Sequence, residues 1–320
     1  MANFFKSLFS SAKTEETSGT NSKADKKNFE IFKYDGIRAQ RIGQTGYAIK
    51  CFTEALAIKE DPETMSYLVT AYVGSHEFDE ALALTNRLLE LEPENISALL
   101  TKTNILFMLD KEEEVIPVCL QILEREEDSP AAWYLMGKAK KATKDSLGAI
   151  EDLGKAIALK DDFTEAYLLR AEITLEMNRH EEALSDIEKV IELTPEEESV
   201  YLLRGKIHEK MANFSAAADD YRQVLELNPF NDDAILHFGT LLINTGKLDD
   251  AILFLDEAIE LKPDFIQAYK ERAKAKELKG NSTGAAEDLQ KAAELSPKEE
   301  ENKKESPKTN FDDMYKGGLY

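Results

Sequence analysis

This 320-residue chain predicts an all-α solenoid of antiparallel helix pairs, on three periodicities that run in register. Prolines fall at Pro195, Pro229, Pro263 and Pro297, 34 residues apart each time. Alanines keep the same interval at Ala48, Ala81, Ala149, Ala183, Ala217, Ala251 and Ala285, with one step of 33 and one double step across Val115. Small residues recur at Gly36, Gly137, Ala171, Gly205, Gly239 and Ala273. A fixed interval of this length marks a repeat array, each unit of which is one supersecondary motif.

Each unit reads as two short amphipathic helices. In residues 165–195, Tyr167, Ala171 and Thr174 share one face of a first helix, and Ala183, Ile187 and Val190 one face of a second. Asn178 suits the turn between them, and Pro195, which has no N–H to donate, closes the second helix. Small residues such as Gly137 and Gly205 let two helix backbones approach. Large rings at Phe32, Trp133, Tyr167, Tyr201 and Tyr269 are expected to fill the space between units. Full burial of Trp133 would make its truncation to Ala cost roughly 3–5 kcal/mol.

These residues resemble the tetratricopeptide repeat, a 34-residue pattern of aromatic, Leu, Gly, Tyr, Ala, Phe, Ala and Pro. AAWYLMGKA and SVYLLRGKI match its first helix, and FSAAADDYRQVLELNP and DDAILFLDEAIELKP its second. Eight units start at Phe29, Pro62, Ile96, Pro130, Thr164, Glu198, Asp232 and Ile266, so the array covers 29–299. Departures gather in units two and three, where Val69 and Thr103 replace the small residue and Thr85 and Cys119 the large one. Pro117 also sits early in the second helix of unit three. The resemblance implies a right-handed superhelix whose concave face, lined by first helices, holds a peptide or helix of a partner protein.

Family geometry turns the second, fifth, ninth, twelfth and thirteenth residues of each unit inward. That implies a partner-binding stripe of Leu100, Asn104, Phe107, Met108, Tyr134, Lys138, Leu168, Glu172, Leu202, Lys206, Leu236 and Thr240. Two readings of the leucines stay open, contact with a partner or packing between helices. The subclass that clamps a chaperone's C-terminal carboxylate is not matched, because Leu100 stands where its Lys belongs, beside Asn104.

Residues 1–28 read as an amphipathic segment, with Met1, Phe4, Phe5, Leu8 and Phe9 on one face, followed by a flexible linker over 10–28. Disorder, a weak membrane-surface contact and docking into the chain's own groove are the competing readings of its start. Residues 300–320 read as a charged, flexible tail. An array's last unit needs a polar face or a cover. Phe311, Met314 and Tyr315, or a second molecule meeting the C-terminal end in a homo-oligomer, are the candidates.

Composition narrows the function. Forty Lys and Arg against 62 Asp and Glu leave a net charge of −22, which argues against nucleic acid as a partner. Two cysteines give neither a disulfide framework nor a zinc signature, and neither a membrane span nor a signal peptide is read, so a cytoplasmic location is expected. His208 opens a partial zinc-protease motif that fails at Ala212. No phosphate loop or calcium loop is present, and Cys119 occupies a core slot. The expectation is therefore a non-enzymatic scaffold without metal or cofactor. Its rivals are a self-associating assembly protein and an adaptor attached to a membrane by its N-terminal segment.

Overall fold

In the computed structural model, residues 21–302 are described, and they fold into sixteen helices with no strand among them. The first helices of the eight pairs are α1 (Asn21–Arg41), α3 (Pro62–Gly74), α5 (Ile96–Met108), α7 (Pro130–Ala142), α9 (Thr164–Glu176), α11 (Glu198–Lys210), α13 (Asp232–Asn244) and α15 (Ile266–Leu278). The second helices are α2 (Thr45–Ile58), α4 (Phe78–Leu91), α6 (Glu112–Leu123), α8 (Ser146–Leu159), α10 (His180–Leu193), α12 (Phe214–Leu227), α14 (Leu248–Leu261) and α16 (Ser282–Asn302). Contacts form two compact units, Met1–Ile173 and Thr174–Tyr320. In each, a helix packs mainly on its neighbour in sequence. The apolar N-terminal residues Met1 to Phe9 and the tail residues Phe311, Met314 and Tyr315 lie outside the described residues.

Local chemistry sets the helix boundaries. Asp61, Asn95 and Asn231 accept hydrogen bonds from the backbone N–H of Thr64, Ala98 and Ala234, capping α3, α5 and α13. The turn inside every pair contains one residue of left-handed backbone: Gly43, His76, Asp110, Lys144, Asn178, Ala212, Gly246 and Gly280. Only three of these are glycines, although that conformation costs other residues energy.

The periodic alanine of six second helices is sealed between helices, Ala48, Ala81, Ala149, Ala183, Ala217 and Ala251 all at 0 % exposure, as is Val115 in its place in α6. One turn on, a large side chain meets the small residue of the first helix. A Cβ on Gly205 would lie 2.5 Å from the ring of Tyr221, and one on Gly137 2.7 Å from Leu153. The departures in repeats 2 and 3 are reciprocal exchanges of size at this contact. Val69 and Thr103 are larger on the first helix, Thr85 and Cys119 smaller on the second, and all four are buried.

Several expectations need correction. The segment expected to be a flexible linker is helical from Asn21, because its Lys-rich turns extend the helix anchored by Phe29, which is buried. Pro297 does not close the last helix, which runs to Asn302. Lys298 to Glu301 are good helix formers. Trp133 is half-buried, with the Lys155 ammonium 4.3 Å from its ring centre, so a full cavity cost does not apply. Tyr201 is likewise half-buried, and its hydroxyl donates to the carbonyl of Pro195 across the junction between repeats, at 3.0 Å.

Candidate functional site

In unit 1 the candidate face is carried by α5, α7 and α9. Leu100, Phe107 and Tyr134 are half-buried and pack against the unit's core. Met108 and Asn104, at the inward positions of the same first helix, are exposed. Lys138 of α7 places its ammonium 4.7 Å from the ring centre of Phe107, tying the first helices of repeats 3 and 4 together. Tyr134 stacks obliquely on Phe163, with ring centres 5.0 Å apart. Glu172 of α9 pairs with Lys141 of α7 at 2.6 Å. Lys141 sits at a twelfth position, a slot that faces inward by family geometry, yet the stripe read from the sequence omits it.

Leu168 departs from the expectation. It is 8 % exposed and belongs to the core, because it lies three residues before Ala171, which is sealed on the same face. What this face offers solvent is therefore Met108, Asn104, the outer parts of Leu100, Phe107 and Tyr134, and the Lys138 side chain. Its electrostatics are unusual for this molecule. Helices α5 and α7, 13 residues each, contain no Asp or Glu but carry Lys102, Lys138, Lys140 and Lys141.

In unit 2 the corresponding residues sit on α11 and α13. Leu202 and Leu236 are half-buried and pack against the unit's apolar clusters. Lys206 reaches Asp233 at 3.5 Å, and Thr240 is half-buried. Beside them the Tyr221 hydroxyl donates to Glu209 at 2.5 Å, and His237 Nδ1 lies 3.2 Å from the same carboxylate. The Tyr221 and His237 rings stack 5.5 Å apart. Burial, then the bond to Glu209, pushes the Tyr221 phenol well above its ordinary range. The leucines here serve mainly to pack, so the stripe is two patches, one in each unit, with polar groups that largely pair within the protein.

Burial, and to a smaller degree the charge of Asp152, pushes the Cys119 thiol up to about 12, which keeps it from acting as a thiolate near neutrality. Among the described residues no group of three His, Cys, Asp or Glu is placed to hold a metal ion, and no helix is long and apolar enough to cross a membrane.

Profiles described as tetratricopeptide repeat match residues 164–197 and 210–276. Over these residues the chain carries tetratricopeptide repeats. It is 40 % identical over 83 residues to photosystem I assembly protein Ycf3 of Acaryochloris marina, covering 23 % of this chain and 49 % of that protein. It is 41 % identical over 58 residues to tetratricopeptide repeat protein 36 of Homo sapiens, covering 18 % and 31 %. The chain thus spans at most about half the length of these relatives. Among solved structures, the C-terminal part of a repeat-containing protein of this family from Cytophaga hutchinsonii superposes with a TM-score of 0.64 at 15 % identity, over 74 % of this chain and 96 % of that one. A tetratricopeptide repeat protein from Parabacteroides merdae gives 0.57 at 15 % identity, over 83 % and 99 %. These structural likenesses show the fold.

Proposed function

We propose that the chain is a non-catalytic interaction scaffold that holds a partner segment on the first helices of repeats 3 and 4. The observation that carries this reading is the make-up of α5 and α7, which lack any acidic residue in a chain that has 62. On them Leu100, Phe107, Met108 and Tyr134 leave apolar surface in reach of water, beside the Asn104 carboxamide and the Lys138 ammonium. Such a face suits a short segment with one or two aliphatic side chains and a neighbouring carboxylate. The apolar groups supply affinity and the charge supplies register and speed of encounter.

The test is an array of twelve-residue peptides that varies acidic and aliphatic content, read by fluorescence polarisation. Binding should select acidic, Leu- or Ile-containing peptides, and Met108→Glu with Lys138→Glu should weaken it about tenfold or more. Met108 is exposed and Lys138 half-buried against Phe107, so circular dichroism and a thermal melt of each single variant are read alongside to separate lost binding from lost packing. Peptides held equally by wild type and the double variant would refute this placement. Leu168→Glu is unsuitable as a probe, since it puts a charge in the core.

A further inference from the structure

Consecutive repeats close on one another through the same pair of positions. The third residue of the first helix, from Thr64 in repeat 2 to Ala268 in repeat 8, is at most 5 % exposed. The twenty-fourth residue, from Phe52 in repeat 1 to Leu255 in repeat 7, is sealed completely. Leu255 shares an apolar cluster with Ile266 and Ala268 of the following repeat. The first helix of one repeat is therefore the cover for the twenty-fourth position of the repeat before it.

At the two ends of the array the same positions stand open among the described residues. Ile31, the third residue of repeat 1, is 45 % exposed, with Tyr34 one turn on at 57 %. Leu289, the twenty-fourth of repeat 8, is 53 % exposed, with Ala286 and Ala293 exposed on the same face. The tenth position, apolar and buried from Ala71 to Ala275, is Arg38 in repeat 1, its side chain 82 % exposed. Charges also oppose. Of the exposed residues, α1 carries Lys23, Lys26, Lys27, Arg38 and Arg41 against Asp25, and α16 carries Glu287 and Glu294 against Lys291.

We propose that repeat 8 of one molecule receives repeat 1 of a second copy of this chain. The contact takes the register that joins repeats within the molecule, with Ile31 over Leu289 and the basic α1 facing the carboxylates of α16. The two faces differ, so the contact is heterologous and head to tail. A single repeat edge is a small interface, which makes the association weak and sensitive to concentration and salt.

Sedimentation equilibrium of the full chain from about 1 µM to about 1 mM tests it. The weight-average mass of wild type rises with concentration. Ile31→Glu alone and Leu289→Glu alone stay monomeric, since each loses one face. Mixed in equal amounts they form a heterodimer and nothing larger, because each keeps the face that the other lacks. Arg38→Glu, a change at a solvent-exposed side chain, weakens association about tenfold and flattens its salt dependence. A wild type that stays monomeric, its ends covered by residues 1–20 or 303–320 of its own chain, overturns the proposal. Single variants that associate as wild type does, or a mixture that fails to pair, overturn it as well.

Discussion

The residue in left-handed backbone between the helices of each pair is a local choice with a measurable cost. Ala212 has φ 59° and Lys144 φ 67°, where a Cβ crowds the backbone, while Gly246 and Gly280 occupy the equivalent turns without one. Ala212→Gly should stabilise the protein by about 1 kcal/mol, because relief of that crowding exceeds the entropy glycine adds to the unfolded chain. Gly246→Ala should cost a similar amount. Urea denaturation midpoints at constant slope check both, and unchanged midpoints would remove the strain from the account. Asp61 offers a second test at this scale. Burial opposes its ionisation, but hydrogen bonds from Thr64 and Lys33 outweigh that and hold its carboxyl down to about 2. Its folded pKa is thus lowered from 3.8. The stabilisation is complete above the unfolded value and is lost as pH falls from there through the folded one. Asp61→Asn should therefore lower stability at neutral pH and flatten the acid limb of the stability curve between about pH 4 and 2, read by circular dichroism.

At the level of the helix pair, the same layer is built in two chemistries. The twenty-third residue is a buried aspartate in four repeats, Asp152, Asp186, Asp220 and Asp288. Asp220 accepts a forked pair of bonds from Arg204, Nη2 to Oδ1 at 2.6 Å and Nε to Oδ2 at 3.1 Å, and Asp288 bonds to Arg272 and Lys276. Repeat 7 replaces the whole set with Phe238, Leu242 and Phe254, the two rings meeting edge to face at 4.9 Å. Asp220→Leu should cost about 3 kcal/mol, since it strands a half-buried guanidinium. Installing the apolar set in repeat 6, with Arg204→Phe, His208→Leu and Asp220→Phe together, should recover most of that loss. Chemical denaturation of the single and triple variants decides it. The helix pairs themselves were legible in the primary structure, because the spacing of Pro195, Pro229 and Pro263 and of the sealed alanines is the spacing of the helices. The compensation at Val69 with Thr85 and Thr103 with Cys119 was visible only as an irregularity. Position alone does not say which two side chains touch. Leu168 stayed open between partner contact and packing for the same reason: a leucine at a groove position looks identical whether its neighbours cover it or not.

For the whole molecule, stability is a chain of nearest-neighbour couplings in which no repeat buries its own apolar face. The division between Ile173 and Thr174 was not legible at all, since it falls within α9 and interrupts no motif. Two compact units with their own apolar clusters should unfold with a calorimetric enthalpy above the van't Hoff value, and equality of the two would mean one cooperative block. The open ends at Ile31 and Leu289 were likewise hidden, because the period treats first and last repeats as equals of those between. The predominance of contacts between sequence neighbours has a mechanical consequence. Tethered at both termini and drawn apart, such a protein yields in small steps from wherever the coupling is weakest. Each 34-residue repeat released pays out roughly 110–120 Å of extended chain, which a force–extension trace would read as equal increments.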